Sequence, residues 1–487
     1  MLRTRTYNRV LSDLEPHEVW NIFEDISRVP RLSQKEEKIR DWVKNWADYN
    51  SISWKEDGVG NLLLSKQASA GYGHLPGIIL QAHMDMVGQK EPDSSHNFEN
   101  DPISLEIVNN EYIIAKGTTL GADNGIGMAI ALATLTDPSL LHGPLEVLLT
   151  VDEESGLTGA FSLVPGFFSS KFLINLDSEA EGSITVSSAG GGSTLLNLPV
   201  TQITVSSLTG FNLTVNGLTG GHSGVDINKN RLNAIKVLNE GLINISSKAT
   251  LNISTINGGA LFNAIPSDAY CTFLVNESTM ALNAYQAWQQ TIDTYYNYES
   301  NLEIDLQEVI IDTVINSSDN VLSLLKEIPH GPLNFSKSFP NLVETSNNLA
   351  IIQTVSDSIE IITLTRSTFD GELERVRNQI DNLGVSLGAI VTQNPSFPSW
   401  PPDLNSSFLQ YVQTEYEQIY GKEVELVAVH GGLETAVFKQ LDSELQMVSI
   451  GPNIQGAHTP QERVYIKSVD LIWRVVRSIL TNLNSIS

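Results

Sequence analysis

The sequence predicts an α/β fold in which a mixed sheet flanked by helices is interrupted by an inserted α+β domain. Three observations carry this. Before residue 188, short apolar, β-branched runs alternate with helical patterns, and carboxylates and histidines gather where those runs stop. From 188 to 394 the pattern changes to strand-like segments with polar alternation and intervening helices. Pro395, Pro398, Pro401 and Pro402 then form a proline-rich return, after which the first pattern resumes. The expected division is a first domain built from 1–187 and 396–487, with 188–395 inserted. A chain of 487 residues is long enough for two such cores.

Taken in order, Ser12 with Glu15 and Pro16 signals a helix start, and Ser33 with Glu36 reads as a capping box. The second helix carries Ile39, Trp42, Val43 and Trp46 at helical spacing, a stripe that faces a core. Strands are expected over 52–54 and 62–64. Residues 77–85 follow, an apolar strand ending in His83 and Asp85. Alternation puts those two side chains on one face, so that one can hold a cation while the other steadies it. A buried histidine beside a structural aspartate gives the same pair.

The glycine-rich stretch 117–127 leads into a helix over 128–135 and presents Asp123 at its head, where the helix dipole favours a carboxylate. Asp123 reads equally as a simple helix cap. A phosphate-binding reading lacks both the Gly-x-Gly-x-x-Gly pattern and the Lys-Ser/Thr ending of a P-loop. The strand over 146–151 ends in Asp152, Glu153 and Glu154, three consecutive carboxylates that repel unless something positive sits nearby. The strand over 172–176 ends in Asp177. Within the insert, strands are expected over 211–215 and 251–256, with helices over 228–242 and 280–296. The returning domain reads as a helix over 408–420, a strand over 424–429, a helix over 433–439, a strand over 446–450, a loop containing His458, and a closing helix over 469–483.

Composition narrows the function. A formal net charge of -27 repels phosphate backbones and anionic lipid, which argues against nucleic-acid and membrane-surface partners. The start, Met1-Leu2-Arg3-Thr4-Arg5, leads into polar sequence, so the expected location is cytoplasmic. Cys271 is the only cysteine, which excludes an intrachain disulfide and a thiolate metal cluster. His83, Asp123, Glu154, Asp177 and His458 all fall at strand ends or loops of one expected sheet and offer imidazole and carboxylate ligands. Five ligands exceed the needs of one tetrahedral ion; two ions about 3.5–4 Å apart that share a carboxylate use them all.

Eight stretches, in order and spread over nearly the whole chain, resemble the aminoacyl-histidine dipeptidases of the peptidase D type, within the dinuclear zinc aminopeptidases and carboxypeptidases. They are HMDMV, TTLGADNGIG, EES after a strand, LDSE, GLTGGHSG, GGALFNAIP, HGGLE and GAHTPQER. The resemblance implies a zinc-peptidase-like catalytic domain with an inserted lid, and hydrolysis of Xaa-His and other unblocked dipeptides by a water that two divalent ions activate. Zinc is the foremost metal, with manganese or cobalt as alternatives. By the same resemblance Asp123 bridges the ions, His83 and Asp177 complete one site, and Glu154 and His458 complete the other. Asp85 orients His83, Glu153 is the general base, and Asp152 is left solvated. Neighbouring glutamates take different jobs on the expectation that successive side chains point apart.

His222, in a glycine-rich loop of the insert, resembles the residue that stabilises the oxyanion, either across a dimer interface or by domain closure; spacing alone makes it a loop histidine. Asn263, Arg366 and Gly432 match substrate-contacting positions. Arg366 suits a dipeptide's terminal carboxylate because its fork binds carboxylates bidentately, although a surface arginine paired with an aspartate fits as well. A homodimer through the lid is implied. Two other readings stand beside the dipeptidase: a deacylase or broader peptidase with the same metal centre, and a non-catalytic scaffold, which has no physical need of Glu153.

Overall fold

A computed structural model describes residues 9–337, 339 and 342–483; the polar start at residues 1–5 lies outside them. The chain divides into two compact units, one formed by Met1–Val186, Pro402–Ala428 and Glu434–Ser487, the other by Ser187–Pro401 and Val429–Leu433.

In the first unit, Ile78–His83 lies parallel to Leu145–Thr150 on one side and to Phe172–Asn175 on the other. Every residue of the three strands is buried. That explains their nearly unbroken apolar runs, since a parallel sheet is covered on both faces. The register sets His83 opposite Thr150 and Gln81 opposite Asn175. Parallel direction brings the carboxyl ends of all three strands to one edge, and ligand sites form along that edge. Leu62–Lys66 and Ser53–Glu56 extend the sheet antiparallel on one side. Gln446–Ser449, parallel to Phe172–Asn175, then Ser183–Ser188 and Glu425–Val429 extend it on the other, for eight strands in all.

The helix Ala122–Thr136 is buried from Asn124 to Leu135. A helix apolar on every side belongs inside, and this one runs against the central strands. Two glycines permit its start. Gly121 has φ 68°, and a Cβ on Gly127 would stand 2.4 Å from the Leu176 carbonyl oxygen. A separate four-stranded sheet includes the hairpin of Ile454–Gln455 and Arg463–Tyr465, whose loop carries His458.

The helix His17–Ile26 follows Pro16, in line with the sequence signal. Glu37–Tyr49 also forms, with Trp42 and Trp46 half-buried beside the buried Ile39 and Val43. Its expected capping box does not. Ser33 Oγ instead donates to Asp85 Oδ2 (2.8 Å), and Glu36 Oε1 accepts from the Gln34 and Asp152 amides, because these side chains have buried carboxylates and amides within reach.

The second unit is an antiparallel sheet of nine strands packed with helices on a core that includes Leu238, Phe273, Trp288 and Ile380. The strand expected over 211–215 is part of a longer one, Gln202–Asn216, and that over 251–256 runs Leu251–Gly258. The helix expected over 228–242 begins later, as Ala234–Ser246. Asn233 caps it by accepting from the Ile235 and Lys236 amides, which fixes the start. The helix expected over 280–296 is Ser278–Gln289 followed by a 3-10 turn, Asp293–Asn297.

Candidate metal centre

The carboxyl edge of the three parallel strands assembles the first group of side chains. His83 ends its strand with 1% exposure. Its Nε2 lies 3.1 Å from Asp123 Oδ1 and 3.3 Å from Asp177 Oδ1, and its Nδ1 lies 3.2 Å from Asp85 Oδ1. His458 Nε2 lies 3.1 Å from the other Asp123 oxygen, Oδ2, and 2.9 Å from Glu154 Oε2. Asp123 thus gives one oxygen to each of two groups. His83, Asp123 and Asp177 form one, and Asp123, Glu154 and His458 the other; within each, one ligand atom per residue lies within 4.8 Å of the rest.

The charges in this group do not balance on their own. Among the described residues, Asp123, Glu153, Glu154 and Asp177 form no ion pair with lysine or arginine, and the buried Glu154 Oε1 has no hydrogen-bond partner. Desolvation, with Asp177, Glu154 and Glu434 nearby, pushes the Glu153 carboxyl well above its ordinary range against the pull of His83. Desolvation likewise raises Glu154 and Asp177. Burial opposes charge on His83, but Asp177, Asp123 and Asp85 raise its pKa well above the usual value. Crowded carboxylates with two imidazoles aimed among them are a donor set for divalent cations, which would supply positive charge beyond that of the buried Arg31 nearby. The residues fit a pair of ions that shares Asp123.

Asp85 joins this group to its support. It accepts from Ser33 Oγ and from the Glu153 (3.1 Å) and Glu154 (3.2 Å) amides. Burial alone would raise its pKa; His83, Ser33 and the Glu153 amide hold it at about 2, so it is ionised at neutral pH. One carboxylate therefore touches His83 and the backbone of both glutamates.

Two expectations are corrected here. Asp152 is not solvated: it is 6% exposed, has φ 52°, and accepts from Ser155 Oγ and Thr158 Oγ1. Nor do Glu153 and Glu154 point apart as on a strand. The chain turns at once into the short helix Glu153–Gly156, where successive residues are about 100° apart, and both carboxylates reach the neighbourhood of His83.

His222, Asn263, Arg366 and Gly432 belong to the second unit, where they form a group of their own. His222 lies on a two-residue strand, Gly221–His222, paired with Ala264–Ile265. Its Nδ1 accepts from the Gly224 and Val225 amides, both at 3.2 Å, which assigns the proton of the neutral ring to Nε2. The Ser223 amide donates to the Asn263 carbonyl (2.9 Å). Arg366, 5% exposed, points Nε at Ser223 Oγ (3.5 Å) and lies 5.9 Å from the centre of the Phe397 ring. A Cβ on Gly432 would stand 3.1 Å from the same ring. The surface pairing considered for Arg366 is absent: the residue is buried, and among the described residues no carboxylate forms an ion pair with it. Burial lowers its pKa to about 10, which leaves it charged at neutral pH.

Sequence reasoning passed over three residues that hold the first group. Glu434 Oε2 accepts from Gln81 Nε2 (2.6 Å) and Thr150 Oγ1 (2.8 Å), and burial pushes its carboxyl up to about 8. Glu462 accepts from four consecutive backbone amides, Leu120 to Asp123. The buried Arg31 donates to the carbonyls of Met84, Asp85 and Gly121. Both glutamates stand in the motif-bearing stretches HGGLE and GAHTPQER, but their partners are far away in sequence.

Residues 79–482 match the model of peptidase family M20/M25/M40. The chain is 38% identical over 482 residues to the cytosol non-specific dipeptidase of Escherichia coli (strain K12), covering 96% of this chain and 98% of that one. It is similar to the crystal structure of aminoacylhistidine dipeptidase from Vibrio alginolyticus, with a TM-score of 0.88, 34% identity and 98% of each chain covered. The aminopeptidase PepT from Bacillus cereus ATCC 10987, 18% identical with a TM-score of 0.58 over 96% of this chain and 99% of that one, shares the fold. The mixed α/β architecture and the resemblance of the eight stretches agree with these relatives. This chain belongs to peptidase family M20/M25/M40.

Proposed function

We propose that the chain is a metal-dependent dipeptidase that hydrolyses Xaa-His and other unblocked dipeptides with two divalent ions, zinc foremost. The observation that carries the centre is Asp123, which presents one oxygen to each of two His-carboxylate groups. The full-length relationship to a cytosol non-specific dipeptidase supports the substrate class and a cytoplasmic location. Among the described residues no helix is long and apolar enough to cross a membrane.

His83, Asp123 and Asp177 would hold one ion, and Asp123, Glu154 and His458 the other. When bound, such ions lower the pKa of water toward neutrality and polarise a peptide carbonyl. Glu153 accepts the proton of the attacking water and returns it to the leaving amine. Its raised pKa suits that exchange, and nearby cations draw it back toward neutrality. Asp85 engages Nδ1 of His83, which leaves Nε2 as the nitrogen that would hold an ion. His222, with its proton on Nε2, is a donor suited to an oxyanion. Arg366 is a buried guanidinium suited to a substrate's terminal carboxylate, with Asn263 and Gly432 as further substrate contacts. In this reading the insert is a lid through which the chain forms a homodimer.

The test is hydrolysis of Xaa-His and carnosine-like dipeptides against N-acetyl amino acids, with metal content and activity measured before and after chelation. Dipeptide hydrolysis that stops on chelation and returns with zinc is expected. A protein that takes up no divalent ion, or works equally well without one, sinks the mechanism; preference for the acetylated substrates makes the chain a deacylase.

A further inference from the structure

The loop that supplies His458 also grips the backbone of Asp123. Glu462, four residues beyond His458, is 2% exposed. Its Oε2 accepts from the amides of Leu120 (2.7 Å) and Gly121 (2.9 Å), and its Oε1 from those of Ala122 (2.7 Å) and Asp123 (3.3 Å). These amides form the turn that leads into the helix Ala122–Thr136, whose backbone is not helical at Asp123 and Asn124. Glu462 thus holds the turn that carries Asp123 into this helix from about 340 positions away in sequence. Arg31 holds the same turn from its carbonyl side through Gly121 O, and also donates to Asp85 O (2.8 Å). The loop is itself tightly turned: the Thr459 amide donates to the Gly456 carbonyl, the Glu462 amide to the Thr459 carbonyl, and His458 has φ 62°.

We propose that Glu462 is a positioning residue that sets the spacing of His458 and Asp123, and thereby how tightly the centre retains its ions. The inference rests on the metal-centre reading above. Asp123 is held at two points by one hairpin loop, its side chain by the imidazole of His458 and its amide by the carboxylate of Glu462. A single turn of backbone thus fixes both a shared ligand and a ligand of one site relative to each other. A carboxylate suits this role because it offers two acceptor oxygens to four donors. Glutamine would turn an NH2 group toward two backbone amides, and aspartate would keep the charge but fall one methylene short.

The experiment compares wild-type chain, Glu462→Gln and Glu462→Asp for stepwise zinc binding by chelator competition, with melting temperature and steady-state kinetics in parallel. Wild type is expected to take two equivalents; if it takes none, the metal-centre reading fails. The proposal expects at least tenfold weaker zinc retention in Glu462→Gln, an intermediate loss in Glu462→Asp, and an unchanged KM at saturating zinc. A folded Glu462→Gln that binds both equivalents within twofold of wild type overturns it, whatever its melting temperature. If neither variant folds, amide exchange in zinc-free wild type decides. Slow exchange at residues 120–123 supports a clamp that exists before the metal, and exchange as fast as in exposed loops refutes it.

Discussion

The two groups of candidate site residues have opposite electrostatic character. In the first unit four acidic side chains crowd two histidines, and among the described residues no lysine or arginine is ion-paired to any of the four. In the second unit Arg366 is nearly inaccessible and has no carboxylate partner among the described residues. Burying like charges, or an unpaired cation, costs stability, and perturbed groups of this kind concentrate at functional sites. In the proposed reading the two groups take two kinds of ligand: cations for one and a carboxylate for the other. Substitutions in the first should register in metal content, and substitutions in the second in substrate affinity.

The largest expected effect is on the shared carboxylate. Asp123→Ala removes a ligand from both sites and should abolish dipeptide hydrolysis together with most bound metal, measured by elemental analysis beside an activity assay. His83→Ala should also lower occupancy outright. Glu153→Gln should cut kcat by about 10²–10⁴-fold. Its metal content should stay near two equivalents; loss of metal from this variant would make Glu153 a ligand and break its separation from Glu154. Arg366→Ala should raise KM for dipeptides about 10- to 100-fold, the worth of charge-assisted hydrogen bonds, with metal content unchanged. An unaltered KM and kcat would remove Arg366 from the site. Asp85→Ala should reduce activity about tenfold or more, and reduce occupancy less.

The smallest effect concerns stability. Glu434 has a folded pKa of about 8 against an ordinary value of 4.5, so between those values the fold holds a proton that the unfolded chain has released. Stability from this group is present below pH 4.5 and is lost as pH rises toward 8. Metal-free Glu434→Gln should match wild type in melting temperature at pH 5 relative to its own baseline, and gain a few degrees on it by pH 8. Parallel melting curves at both pH values would contradict this assignment.

The first group was legible because its members stand at strand ends, at a glycine-rich helix start or in a motif-bearing loop. His83 ends an apolar strand, Glu154 and Asp177 follow within a few residues of two others, and parallel strands share a carboxyl edge. Chemistry that depends on burial was not legible. Asp152 looks like any third acid in a row until Ser155 and Thr158 close over it. Arg366 reads either as a carboxylate-binding residue or as half of a surface pair until its burial is known. Glu462 has partners about 340 positions away, and no periodicity encodes a pairing at that distance. The missing capping box at Ser33 has the same cause: a local motif lost its side chains to tertiary partners.

The order of ligands along the chain has a consequence for biosynthesis. His83 and Glu154 leave the ribosome well before His458 and Glu462, with the whole second unit synthesised in between. A chain that stops short of His458 and Glu462 lacks the imidazole beside Asp123 Oδ2 and the carboxylate on the Asp123 amide. In the proposed reading, the metal centre is therefore completed only by the last stretch of the chain to be made.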